Sequence, residues 1–136
     1  MKNNSIVELK SFSFLYHFNT RFRDVDAFRH VNNSVFLTYF EDARRSFFER
    51  WNINLTDKSL IVASVKVDYL RQLTHPSELI IGQKVSRLGT TSFDIFSILF
   101  HNKAPICTCT TTIVCYSFLV NKKLPLFEEV KKDFNF

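Results

Sequence analysis

The chain has 136 residues, of which 46% are apolar and 23% charged. That length fits one domain with a core of its own, here taken as residues 1–136, and leaves little room for a separate cofactor domain. The composition excludes wholesale disorder, and no window approaches 18 uncharged apolar residues, which excludes a membrane-spanning helix. The net charge of +5 suits a polyanionic partner: nucleic acid, an acidic membrane or a phosphorylated small ligand. The basic residues are scattered, and their densest clusters are Arg21/Arg23, Arg44/Arg45, Lys122/Lys123 and Lys131/Lys132. That argues against a nucleic-acid-binding arm. Met1–Ser5 leads into no apolar signal run, so a cytoplasmic protein is expected, with residues 1–10 partly frayed.

Phe occurs 16 times, against 2 Gly and 3 Pro. So few breakers imply long uninterrupted elements around a bulky aromatic core or an apolar binding channel. Residues 12–23 begin aromatic, and Tyr16, Phe18, Thr20 and Phe22 then alternate with polar residues, a period-2 strand that ends at Asp24-Val25-Asp26. Residues 34–51 read as one long helix. Phe36, Phe40, Ala43, Phe47 and Trp51 form its apolar stripe, and Val35, Leu37, Tyr39 and Phe48 broaden it enough to bury most sides. Asn33 or Ser34 caps its start, and Glu41 and Arg45 are spaced for an i,i+4 ion pair.

Strands follow at 60–70, 78–88, 91–101 and 106–120, separated by turns at Thr74–Ser77, Gly89, Asn102–Pro105 and Asn121–Lys123. A short helix is expected over 127–134. One strand, one long helix and four consecutive strands make an α+β fold, a five-stranded antiparallel sheet wrapped around one long central helix. Cys107, Cys109 and Cys115 show neither a CxxC motif nor a nearby His at ligand spacing, so they read as buried thiols, with no metal site.

The densest polar cluster, Arg23 to Asn33, joins the first strand to the start of the helix. A helix N-terminus presents unpaired N–H groups and partial positive charge, which can hold an oxygen that becomes negative during a reaction. Asp24, Asp26 and His30 lie within a few residues of it. Carboxylate, imidazole and oxyanion site are the parts of acyl-transfer or hydrolysis chemistry. Capping and Asx turns account for the same Asp residues without chemistry.

Arg21-Phe22-Arg23-Asp24-Val25-Asp26, His30-Val31-Asn32-Asn33, Phe36, Tyr39-Phe40-Glu41 and Ala43-Arg44 together resemble the signature of the hotdog-fold acyl-CoA thioesterases, the 4-hydroxybenzoyl-CoA thioesterase group. Val67–Arg71, Arg87–Phe93 and Leu124–Phe127 resemble later segments of that family in the right order. The resemblance implies that two subunits pair their sheets edge to edge as a homodimer, or pair again as a homotetramer, with active sites at the subunit interface. It implies hydrolysis of a fatty or aromatic acyl-CoA, with Asp26 as general base or nucleophile. The main chain near Asn33 and Ser34 would polarise the carbonyl, and His30 and Asn33 would shape the pocket. No metal or redox cofactor is implied. An acyl carrier protein as donor, or a non-catalytic module that binds acyl-CoA, is the alternative.

Arg29 stands where many members of that family have Gly, and Gln72 and Pro76-Ser77 depart from its usual loop residues. Arg29, Arg71, Lys84 and Arg87 are the candidates for contact with CoA phosphates. Asp24 is expected to be structural, pairing with an Arg. Glu41 is expected to be a buried hydrogen-bonding partner, and Tyr39 a core residue. His17, His75 and His101 have no claim to chemistry.

Overall fold

The alternation and helical stripe read from the sequence fall into one sheet and one long helix. The computed structural model describes residues 9–134. In chain order the elements are β1 (Phe14–Asn19), a 3-10 turn (Phe22–Asp24), α1 (Asn33–Glu49), β2 (Ser59–Tyr69), β3 (Glu78–Leu88), β4 (Ser92–His101), β5 (Ala104–Ser117), β6 (Lys122–Lys123) and α2 (Glu128–Phe134). The strands form one antiparallel sheet in the order β1-β3-β4-β5-β2, with β6 beside β5. The α+β hotdog expectation is borne out. Of residues 1–10, expected to fray, 1–8 lie outside the described residues. No helix among the described residues is long and apolar enough to cross a membrane.

The helix buries Phe36, Tyr39, Phe40, Ala43 and Phe47, and Trp51 continues the stripe just beyond its end. Burying a Phe side chain stabilises by roughly 1.5–3 kcal/mol. At the N-terminal end of α1, Phe36 and Phe40 pack with Leu79, Ile81, Leu99 and Cys107. At the other end, Phe47 and Trp51 pack with Val85, Phe93, Ile95 and Ile113. Between these clusters the helix-facing side of the sheet carries buried Gln83, Ser97 and Thr111. Gln83 Nε2 donates to Ser97 Oγ at 3.1 Å. On the opposite face, Phe12, Ile98 and Phe100 form a small separate cluster.

With few glycines, the sharp turns fall to asparagine, whose short polar side chain tolerates left-handed backbone. Asn52, Asn102 and Asn121 have φ of 53°, 51° and 52°. The three cysteines are free and buried.

Several boundaries move. The first strand stops at Asn19 rather than running on to 23. The Arg21 N–H donates to Asp24 Oδ2 at 2.8 Å, curling Phe22–Asp24 into a 3-10 turn that leaves Phe22 exposed. The last long strand ends at Ser117, whose Oγ accepts the Val120 N–H at 3.3 Å and turns the chain. The helix cap is Asn32, ahead of both expected candidates, Asn33 and Ser34. Glu41 is exposed rather than buried, because it lies outside the apolar stripe, and no ion pair joins it to Arg45 among the described residues.

α1 lies over β3 and β1. Strand β2 is an open edge on the other side of the sheet, with Val62, Val65 and Tyr69 exposed.

Candidate active site

The segment between the 3-10 turn and α1 is a pinned loop. Val25 and Val31 form a bridge, and the Asp26 N–H donates to the His30 carbonyl at 2.9 Å. The Arg29 N–H returns to the Asp26 carbonyl at 3.0 Å. This tight turn requires φ of 66° at Arg29, the left-handed region that favours glycine. The loop is fastened to the chain between β2 and β3: His30 bridges Thr74, and the Val31 N–H donates to Leu73 O at 2.7 Å.

Asp26 sits inside this turn, half-buried. Its Oδ1 accepts the Phe28 N–H at 2.8 Å and the His30 N–H at 3.3 Å. Oδ2 has no hydrogen bond among the described residues. The carboxylate is therefore oriented by one oxygen and free at the other.

Asp24 occupies a different layer. It is buried, and its Oδ2 accepts the Tyr39 hydroxyl from α1 and the Arg21 N–H. No Arg side chain pairs with it, contrary to expectation, because a phenol on the buried stripe of α1 already reaches it. The Tyr39 pKa is raised well above the ordinary phenol range, mainly by burial and then by the Asp24 carboxylate.

Asp26, Phe28, His30, Asn33, Tyr69 and Arg71 all line one open cleft of about 640 Å³. Its floor includes the N-terminus of α1. Asn32 Oδ1 accepts both the Ser34 N–H at 3.0 Å and the Ser34 hydroxyl at 3.1 Å. Both Ser34 donors are thus engaged, and Ser34 does not line the cleft. The Asn33 N–H has no partner among the described residues, as expected for the first helical position. The Asn33 carbonyl accepts the Tyr69 hydroxyl from β2 at 3.0 Å. Partial desolvation raises the Tyr69 pKa.

The residues proposed for phosphate contact separate. Arg71 lines the cleft, and Arg29 is exposed on the Asp26 turn. Arg87 is engaged on the β3–β4 hairpin, its Nε donating to Asp94 Oδ2 at 2.9 Å and its Nη2 to Ser92 Oγ at 3.2 Å. Lys84 Nζ lies 5.4 Å from the centre of the Phe12 ring. Neither Arg87 nor Lys84 lines the cleft. Tyr69 was not singled out from the sequence as a partner of the helix terminus. Its position at the end of a strand opposite the acid-bearing loop was the available signal.

An antiparallel sheet folded on one long helix, with an acid-bearing loop at the helix N-terminus, defines a hotdog-fold protein. The thioesterase-like superfamily model matches residues 20–134, and the chain belongs to that family. The enzyme class expected from the motifs, thioester hydrolase, is the class of this family and its named structural neighbours. The Bacillus subtilis (strain 168) protein YsmA is 39% identical over 87 residues, 62% of this chain and 59% of that protein, so the match spans less than two-thirds of the curated relative. A thioesterase from Thermus thermophilus, solved with coenzyme A and zinc, superposes with a TM-score of 0.80 at 28% identity, covering 93% of this chain and 100% of that one. A thioesterase-superfamily protein from Jannaschia sp. CCS1 superposes with a TM-score of 0.84 at 20% identity, covering 98% of this chain and 90% of that one. At that identity the likeness is one of fold.

Proposed function

We propose that this protein hydrolyses an acyl-CoA thioester to a free acid and CoA. One observation carries the reading: Asp26 is fixed by two main-chain N–H groups in the same cleft as the unpartnered Asn33 N–H at the helix N-terminus. With the thioester carbonyl against that N–H, Asp26 Oδ2 takes a proton from water as the water oxygen adds to the carbonyl carbon. The Asn33 N–H and the positive end of the helix stabilise the oxyanion. Collapse breaks the C–S bond, and the sulfur leaves with a proton as the CoA thiol. Direct attack by Asp26 Oδ2, followed by hydrolysis of the anhydride, uses the same geometry.

The positively charged chain suits a ligand that carries phosphates, and Arg71 and Arg29 are the cations beside the cleft. The CoA bound to the Thermus thermophilus relative supports this donor over acyl carrier protein. The open edge of β2, next to Tyr69 in the cleft, supports a homodimer with sites near the interface.

The test is CoA release from a panel of aromatic and C4 to C16 acyl-CoAs by wild type and Asp26→Asn. Asn keeps an Oδ1 acceptor for Phe28 and His30 but is no base. The expected result is hydrolysis by the wild type and a fall of at least about a hundredfold in the variant. A folded wild type that hydrolyses none of the panel overturns the proposal.

A further inference from the structure

Three consecutive apolar side chains stand in water at one tip of the sheet. Phe118, Leu119 and Val120 are 64%, 71% and 59% exposed, and none joins a core cluster among the described residues. Single exposed apolar residues are ordinary, but an exposed run of three works against solubility and calls for a function. The run fills the turn between β5 and β6, and Asn121, Lys122 and Lys123 complete the tip.

The run is held out rather than loose. The Val120 N–H donates to Ser117 Oγ at 3.3 Å, and Asn121 turns the chain at φ of 52°. Tyr116 pairs with Lys123 and Ser117 with Lys122, which closes the hairpin below the turn. The Phe118 ring meets Tyr116 edge-on, with centroids 5.0 Å apart. Lys122 and Lys123 are exposed and have no ion pair among the described residues. On the neighbouring turn, which leads into Ser59 opposite Tyr116, exposed Asp57 sits beside Lys58 in sequence.

Shape and charge select one kind of partner. A narrow tip with three apolar side chains falls far short of the roughly 20–30 residues a side of a stable protein interface. A lipid surface asks for less: an apolar wedge for the acyl boundary and cations for the phosphates, which together anchor reversibly where either alone is marginal. Lysine stems are long enough to keep their charges at the phosphates while the turn enters. We infer that the β5–β6 tip docks this protein on an anionic lipid surface, with Phe118, Leu119 and Val120 entering the headgroup layer and Lys122 and Lys123 on lipid phosphates. The tip adjoins the Ser59–Tyr116 end of the β2–β5 pair, and Tyr69, in the cleft, lies at the opposite end of that pair. Docking therefore leaves the Asp26 cleft open to water, whatever is hydrolysed there.

The experiment is cosedimentation with vesicles of phosphatidylcholine alone and of equal parts phosphatidylcholine and phosphatidylglycerol. Wild type is compared with a triple variant (Phe118→Ser, Leu119→Ser, Val120→Ser) and a double variant (Lys122→Gln, Lys123→Gln), with circular dichroism to check folding. Wild type is expected to pellet with the anionic vesicles and to stay in solution with the neutral ones, and added salt to release it. The triple variant binds at least about tenfold more weakly. The double variant binds about 25-fold more weakly, about fivefold for each lysine. Should the triple variant unfold, Leu119→Ser alone must still weaken binding. The emission of Leu119→Trp, read over the Trp51 background, shifts to the blue with anionic vesicles only. A wild type that ignores anionic vesicles overturns the proposal, as does one that pellets equally with both kinds. A folded triple variant that binds like wild type overturns it and leaves net charge as the cause of binding, and an unchanged Leu119→Trp emission on bound protein does the same. A triple variant that loses a larger oligomer, when wild type binds no lipid, overturns it and assigns the tip to a second copy.

Discussion

The Tyr39 hydroxyl on α1 donates to Oδ2 of Asp24, the same oxygen that accepts the Arg21 N–H at 2.8 Å. The Asp24 carbonyl in turn accepts the Asn32 N–H at 3.0 Å. Asp24 thus ties the entry of the Asp26 loop to its exit and to the helix. Tyr39→Phe removes a hydrogen bond to a buried carboxylate, a change worth about 1.5–3 kcal/mol. Urea denaturation is expected to show a lower midpoint with an unchanged slope. An unchanged midpoint would mean that the bond contributes nothing net.

Arg29 supports a second prediction, since it holds φ of 66° where glycine has no steric penalty. Arg29→Gly is expected to leave the protein as stable or about 0.5 kcal/mol more stable, the relieved strain exceeding the added freedom of the unfolded chain. If Arg29 also meets a CoA phosphate, the same variant raises KM while leaving kcat in place. Thermal melting reads the first effect and steady-state kinetics the second, so the backbone and charge roles separate.

Gly82 makes a third. A Cβ built on it would lie 2.5 Å from the Phe12 ring. Phe12 stacks near Phe96 and meets Phe100 edge-on, so the ring cannot move without disturbing that cluster. Gly82→Ala is expected to destabilise by about 1–3 kcal/mol, the usual scale of overpacking. Gly82→Ala combined with Phe12→Leu should lose less than the sum of the two single changes, and strictly additive losses would contradict the steric account.

The buried thiols set an alkaline limit. Burial pushes Cys107 up to about 12 from 9.0, helped by Cys109 and Asp68, and burial also raises Cys109 and Cys115. A folded-state pKa above the unfolded one gives stability that is complete below the unfolded value and lost as pH rises toward the folded one. The urea midpoint is therefore expected to hold between pH 7 and 8.5 and to fall by pH 10.5. Cys107→Val should show a smaller fall. Equal falls in both proteins would remove Cys107 as a cause.

What could be read from the chain was local. The limits of β3 are those of its apolar alternation, and the α1 stripe is visible in its Phe spacing. The cleft was legible because Asp26, His30 and Asn33 belong to one continuous stretch. The missed contacts join distant residues: Tyr69 reaches the Asn33 carbonyl across 36 positions, and Tyr39 reaches Asp24 across 15. Ser34 looked like a free donor until the side chain of its neighbour Asn32 was found capping it. Arg87 looked free until the hairpin brought Asp94 beside it, and no spacing rule singles out that pair.

The amide of Gln83 lies directly across from Ser97, between two aromatic clusters. Sliding β3 along β4 by two residues keeps every side chain on its face and would be tolerated by an all-apolar core. Here such a slip sets Gln83 opposite Ile95 or Leu99 and strands its donor in a dry layer. One hydroxyl and one amide thereby act as a key for strand alignment, and they keep the Asp26 loop and the start of β3 at a fixed offset from the rest of the sheet.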